Sequence, residues 1–341
     1  MSAIQQVLAA GGGALSTIVL TADASPYIYA YLWSGAGFGT KYADPATLPT
    51  GVGYGVAFNP SGTAIAVVHD APNISVYPWS GAGFGTKYAD PATLPTGGGR
   101  GVAFNPAGTA IAVAHLVSPF VSTYPWSVAG FGTKYANPAT LPTGNALGVA
   151  FNPTGTAIAV AHATSPHISV YPWSGAGFGT KYANPATLPT GNGRGVAFNP
   201  AGTAIAVSHD TSPFVSTYPW SGAGFGTKYA DPATLPTGTS NRVSFNPAGT
   251  AIAVAHATTP FISVYPWSAG FGTKYADPAT LPTGIASGVA FNPTGTAIAV
   301  AHATSPYISV YPWSGAGFGT KYANPATLPT GRGSDVAFSP N

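Results

Sequence analysis

A unit of 46 or 47 residues, repeated seven times, governs what this 341-residue chain can fold into. Seven tryptophans, Trp33, Trp79, Trp126, Trp173, Trp220, Trp267 and Trp313, mark the period. Residues 288–331 form a representative copy, GVAFNPTGTAIAVAHATSPYISVYPWSGAGFGTKYANPATLPTG, from which the other copies differ at only a few positions. Copies this alike point to recent amplification.

Within the unit, apolar residues form short runs bounded by glycine and proline: Val289 to Phe291, Thr296 to His302, Ile308 to Tyr311 and Thr320 to Ala323. Runs of this length predict four strands. Asn292-Pro293-Thr294-Gly295 and Ser314-Gly315-Ala316-Gly317 supply turns after the first and third. With 45 Gly and 34 Pro the composition is hostile to long helices. The expected fold is therefore all-β: a seven-bladed β-propeller of four-stranded antiparallel blades.

The ends of the chain fit that ring. Val336-Ala337-Phe338 is a first strand with no successors, and Leu15 to Leu20 is a second strand with no predecessor. Pairing of the C-terminal strand with the N-terminal blade is expected to close a single propeller domain over residues 14–341. Residues 1–13 match no repeat and form an N-terminal extension. Its Ile4, Val7 and Leu8, ahead of Gly11 to Gly13, suit docking onto another subunit, with a disordered tail as the alternative, and its removal is expected to matter little to stability.

The opening Val289-Ala290-Phe291-Asn292-Pro293-Thr294-Gly295 and the third-strand Ile308-Ser309-Val310-Tyr311 resemble the WD-repeat type of propeller. The Gly-His and Trp-Asp pairs of that family are absent; Leu328-Pro329-Thr330-Gly331 stands where the first would lie. Units of low charge ending in Pro-Ala-Thr-Leu-Pro-Thr-Gly are also similar to propeller repeats of bacteriophage and prophage structural proteins. That resemblance implies a virion component.

Near-identity makes the chain its own control, because positions free to differ stand out. Two loops vary. The link into the first strand carries Tyr54, Arg100, Leu147, Arg194, Asn241 or Arg332, and the loop after the second strand ends in Tyr27, Asn73, Phe120, His167, Phe214, Phe261 or Tyr307. In an up-and-down blade both emerge on one face. The candidate binding residues are thus Tyr27, Tyr54, Arg100, Phe120, Leu147, His167, Arg194, Phe214, Asn241, Phe261, Tyr307 and Arg332, a mixture of aromatic platforms and hydrogen-bonding groups suited to sugar rings or another protein. Unconstrained drift of the loops is the alternative.

Chemistry is harder to find. The chain has no Cys and no Glu, so thiolate catalysis and thiolate metal sites are excluded. His69, His115, His162, His209, His256 and His302 end the second strand in six copies, with Ala22 in that place in the first. Wedged between blades, they suit a structural hydrogen bond to a neighbouring loop better than a shared zinc sphere. Asp44, Asp90, Asp231 and Asp277 alternate with Asn137, Asn184 and Asn324 before a proline, so an Asx turn explains them better than their charge does. Asp23, Asp70, Asp210 and Asp335 are scattered through the variable loops. No nucleophile, base and orienter stand at a recognisable spacing, so no enzyme, metal or cofactor is expected.

With 11 Lys plus Arg against 8 Asp, the net charge of +3 is too thinly spread for specific nucleic-acid binding. No apolar run of 18 residues predicts membrane insertion. The functional expectation is a non-enzymatic virion or extracellular structural protein, phage tail or capsid-associated, whose variable face binds other virion or surface proteins or a host glycan. A free-standing carbohydrate-binding lectin is the alternative.

Overall fold

The computed structural model describes residues 16–340, whose regular structure is entirely strand: seven antiparallel sheets arranged as a β-propeller. Blade 1 combines Gly333–Phe338 with Ser16–Ala22, Ile28–Ser34 and Gly37–Lys41, so it holds both ends of the described chain. Blades 2 to 7 follow in chain order, each with its tryptophan at the end of the third strand or, in blade 6, just past it. The expected closure is present: Ile18 pairs with Phe338 and Leu20 with Val336. Thr17 N donates to Ser339 Oγ at 2.9 Å, and Ser339 N donates to Thr17 O at 2.8 Å. The N-terminal extension lies outside the described residues.

The repeated Thr-Ala-Ile-Ala-Val-Ala-His run explains how blades stack. On a strand, successive side chains point to opposite faces. Ala297, Ala299 and Ala301 of blade 7 therefore form one face, which packs against Ile18 and Leu20 of blade 1. Ile298 and Val300 form the other, against Ala251, Ala253 and Ala255 of blade 6. Most interfaces thus set branched side chains on an alanine floor, with Val19 in that place where blade 1 meets blade 2, and all of these residues are buried.

Aromatics seal the outer part of each interface. Trp313 meets Tyr275 of blade 6 at 5.1 Å, Phe291 at 5.5 Å and Phe318 at 5.1 Å, all edge to face. The Tyr311 hydroxyl donates to Thr280 O, 2.8 Å away in the preceding blade's Pro-Ala-Thr segment. In the Asn-Pro turn, Asn292 Oδ1 accepts from Thr296 N and Ala297 N, both at 2.8 Å.

The fourth strand corrects the sequence reading. It is not Thr320 to Ala323: in blade 7 it is Gly317–Phe318 alone, paired with Ser314 and Trp313. Pro312, next along the third strand, has no amide hydrogen to offer the edge strand, so the ladder stops there. The chain bulges past it, Gly319 N donating to Pro312 O at 2.8 Å, and touches the third strand again only where Tyr322 N donates to Val310 O at 2.9 Å. Blade 1 is the control. Leu32 replaces the proline, and there the fourth strand runs from Gly37 to Lys41, reaching a Tyr31–Lys41 pair. In blade 6 the loop is one residue shorter, and the fourth strand shrinks to a Trp267–Phe271 bridge.

The innermost strands meet at a ring of glycines. Gly55, Gly101, Gly148, Gly195 and Gly288 hold equivalent positions in blades 2, 3, 4, 5 and 7. A Cβ built on Gly148 would stand 3.0 Å from the Cα of Gly195, and one on Gly101 would stand 3.1 Å from the Cα of Gly148. Backbone cannot yield there as a flexible side chain can. Gly148→Ala is expected to destabilise the protein by about 1–3 kcal/mol through overpacking. A guanidinium unfolding midpoint equal to that of the parent would show that the ring has slack.

Candidate active site

Two blades break the glycine ring, and both do so with charge. Arg242 holds the position in blade 6, opposite Ala255, and Asp335 holds it in blade 1, opposite Thr21. Their side chains meet, with Arg242 Nε 4.0 Å from Asp335 Oδ1. Arg242 also donates to Arg194 O of the link into blade 5 and to Arg100 O of the link into blade 3, each at 3.1 Å. Blades 3 and 6 are not neighbours, so the guanidinium spans the axis of the ring. Asp335 Oδ2 accepts from Val56 N of blade 2 at 3.3 Å. Burial raises the Asp335 pKa, with Arg242 and the Val56 and Val336 amides pulling it back. Its side chain as a whole is 17% exposed.

Above this pair lies a cavity of about 370 Å³, lined by Tyr54, Arg100, Leu147, Arg194, Arg242 and Arg332 among others. All four arginines of the chain converge on it. Arg100 is fixed from two sides: its guanidinium lies 3.7 Å from the centre of the Tyr54 ring, and it donates to Asp70 Oδ1 at 3.2 Å. Tyr54 in turn donates to Asp70 Oδ2 at 3.2 Å. Arg194 stands 3.9 Å from Asp210. Arg332 donates to Ser287 Oγ at 3.2 Å and forms no ion pair among the described residues. The cavity therefore offers guanidinium donors to an anionic group, and Asp335 adjoins it through Arg242 and its chain neighbour Ser334, which line it.

Six of the twelve residues singled out in the sequence come together here: Tyr54, Arg100, Leu147, Arg194, Asn241 and Arg332. The other six do not line the cavity. Tyr27, Phe120, His167, Phe214, Phe261 and Tyr307 are half-buried, with φ between 67° and 71°. They complete tight turns, as when Tyr307 O accepts from His302 N at 2.9 Å. Phe120 and Phe261 are partly buried and pack against core clusters between blades. Arg242, Asp335, Asp23, Ser287 and Ser334 belong to the site or its walls and were not among the candidates. The signal for the first two was present in the copies, as departures from glycine.

The histidines are structural in their contacts. His302 Nε2 lies 3.0 Å from Ser309 Oγ, and Nδ1 lies 2.8 Å from Thr304 O. The other five repeat the serine contact at 2.9–3.1 Å. All six are fully buried, and burial pushes each pKa down to about 4. In blade 1, Ala22 and Tyr29 replace the His–Ser pair together. The Tyr29 hydroxyl fills the gap, 2.6 Å from Thr330 Oγ1 and 3.2 Å from Ser25 O. Among the described residues no three His, Asp, Glu or Cys form a metal-ligand cluster.

No protein-family model matches the chain, and no curated protein matches it. Solved structures do share its fold. A candidate 6-phosphogluconolactonase of Bacteroides fragilis is 12% identical with a TM-score of 0.74, covering 95% of this chain and 98% of that one. A second, from Bacteroides uniformis, is 16% identical with a TM-score of 0.68 over 95% and 99%. A periplasmic gluconolactonase of Pseudomonas aeruginosa is 15% identical with a TM-score of 0.69 over 96% and 99%. At these identities the likeness is one of fold.

The functional expectation is corrected by these findings. Three of these neighbours bear the names of lactonases, a finding that stands against the reading as a non-enzymatic virion or extracellular structural protein and against the expectation of no enzyme. The ionisable residues that looked scattered along the sequence are gathered by the fold at one end of the ring axis. The propeller itself stands, while the WD-repeat and phage resemblances gain no support from the neighbours.

Proposed function

We propose that the protein is a hydrolase of small sugar lactones that works in the axial cavity. The observation that carries this reading is the Arg242–Asp335 pair, charged at ring positions that are glycine in the other five blades, beneath a cavity collecting three more arginines. The lactonase names of the similar structures support the substrate class.

In this reading Asp335, a carboxylate made more basic by burial, takes a proton from water as the water oxygen bonds to the lactone carbonyl carbon. The carbonyl oxygen becomes an oxyanion, which the guanidinium groups stabilise. Collapse of that intermediate breaks the ring C–O bond, and the leaving alkoxide takes up the proton held by Asp335. Water and lactone become a hydroxy acid. Arg332, with no carboxylate partner among the described residues, is placed to hold an anionic group of the substrate.

The test is proton release from 6-phosphogluconolactone and from gluconolactone, measured above the spontaneous rate. Asp335→Asn is expected to lower kcat by at least about 100-fold, the span usual for loss of a general base. Unchanged thermal unfolding would separate that effect from misfolding. Parent protein that accelerates neither lactone, or Asp335→Asn with full activity, would reject the proposal.

A further inference from the structure

We infer that Arg242 is the positioning residue of the axial site: reaching across the ring axis, it closes the floor of the cavity and orients the Asp335 carboxylate. The inference rests on the lactonase reading for its kinetic consequence but not for its physical one.

The geometry is asymmetric in a way the repeat does not require. The guanidinium takes its carbonyl partners from the links into blades 3 and 5, donates to its own neighbour Asn241 O at 3.3 Å, and presents Nε to Asp335 from 4.0 Å. Asp335 is held from its other side by Val56 N of blade 2. Five blades, 1, 2, 3, 5 and 6, are thus tied through two side chains. A guanidinium is planar and carries its five N–H donors in a fixed fork, so its carbonyl contacts fix the direction in which Nε points. The carboxylate is oriented as a result, with one oxygen committed to Val56 and the other turned toward Arg242.

No other ionisable side chain competes for that carboxylate from the packed strands. Gly55–Phe58, Ala286–Phe291 and Ser16–Ala22 carry none. Ala297–His302 ends in His302, whose ring is engaged by Ser309 and Thr304. On the adjoining links, Arg332 is bonded to Ser287 and Tyr54 to Asp70, while Asp23 lies exposed on the cavity wall. Arg242 is consequently the cation that offsets the burial of Asp335, as the direction of its influence on that group agrees.

The test uses Arg242→Gln, which keeps a hydrogen-bonding head without charge, and Arg242→Lys, which keeps charge without the fork. The Asp335 carboxyl carbon is followed by NMR against pH, assigned by its loss in Asp335→Asn. Arg242→Gln is expected to raise the Asp335 midpoint by about one to two pH units, the usual effect of losing an adjacent opposite charge. Arg242→Lys should restore part of that shift. The acid limb of kcat/KM for lactone hydrolysis should move upward with the NMR midpoint. A carboxyl midpoint unmoved in Arg242→Gln, with only the unfolding temperature lowered, would overturn the inference and leave Arg242 a structural cross-tie. If either variant fails to fold, the other still reports, because Gln is expected to move the midpoint further than Lys. A shifted midpoint in a protein that hydrolyses no lactone would uphold the positioning and reject the activity.

Discussion

Acidification from pH 7 to pH 5 is expected to remove most of this protein's stability, and the six buried histidines set the window. Burial pushes each ring from the usual 6.5 down to about 4. Between those values the unfolded chain binds protons that the native state refuses. Stability therefore falls as the pH drops through the window, and these groups add no further loss below about 4. At about 1.4 kcal/mol per unit of difference, each ring costs about 2 kcal/mol at pH 5 and six cost about 12 kcal/mol. That is comparable to the whole stability of an ordinary domain, roughly 5–15 kcal/mol. Guanidinium unfolding at stepped pH should show uptake approaching six protons on unfolding, and His302→Gln should reduce it by one. A stability that stays flat from pH 7 to pH 5 would rule out this role for the histidines.

Ending the chain after Ser334 is expected to be the most damaging small deletion. It removes Val336 and Phe338, 4% and 8% exposed, and uncovers Ile18 and Leu20, which are fully buried. Loss of two such side chains costs about 2–5 kcal/mol each. For a chain of 341 residues about 1.4 °C accompanies each kcal/mol, so the unfolding temperature should fall by about 6–14 °C. The strand Ser16–Ala22 would also become an unpaired edge, so light scattering should rise on storage. Asp335→Asn, which keeps the strand, is the control. A truncated protein that melts with the parent and stays monodisperse would mean the ring does not depend on this pairing.

The fold was legible because every rule was printed seven times. Period, turn residues and the alternation in Thr-Ala-Ile-Ala-Val-Ala-His define the blades, and the two orphan half-blades at the termini define the closure. The outer edge was misread because apolar patterning at Thr320 to Ala323 says nothing about the missing amide of Pro312, one strand away. Leu32 in blade 1 carried the clue. For the site, variation in the links was visible, but its meaning depends on distance. Residues about 47 apart in sequence look scattered, while a propeller places all of them around one axis. The aromatic residues of the second loop varied just as much but do not line the cavity, and their positive φ and half-burial belong to the turn they complete.

Copying a unit around an axis carries a cost in what the axis can recognise. Seven equal surfaces offer a small unsymmetrical molecule seven equivalent orientations and no preference among them. A side chain added at the glycine position by duplication would also arrive seven times over, meeting its own copies in the narrowest part of the ring. Change there has to be made one blade at a time. In this chain it has been made twice, with opposite signs, and each altered residue is followed around the ring by a glycine, Gly288 after Arg242 and Gly55 after Asp335. The pair gives the molecule a direction within its own plane, which the other five copies do not provide.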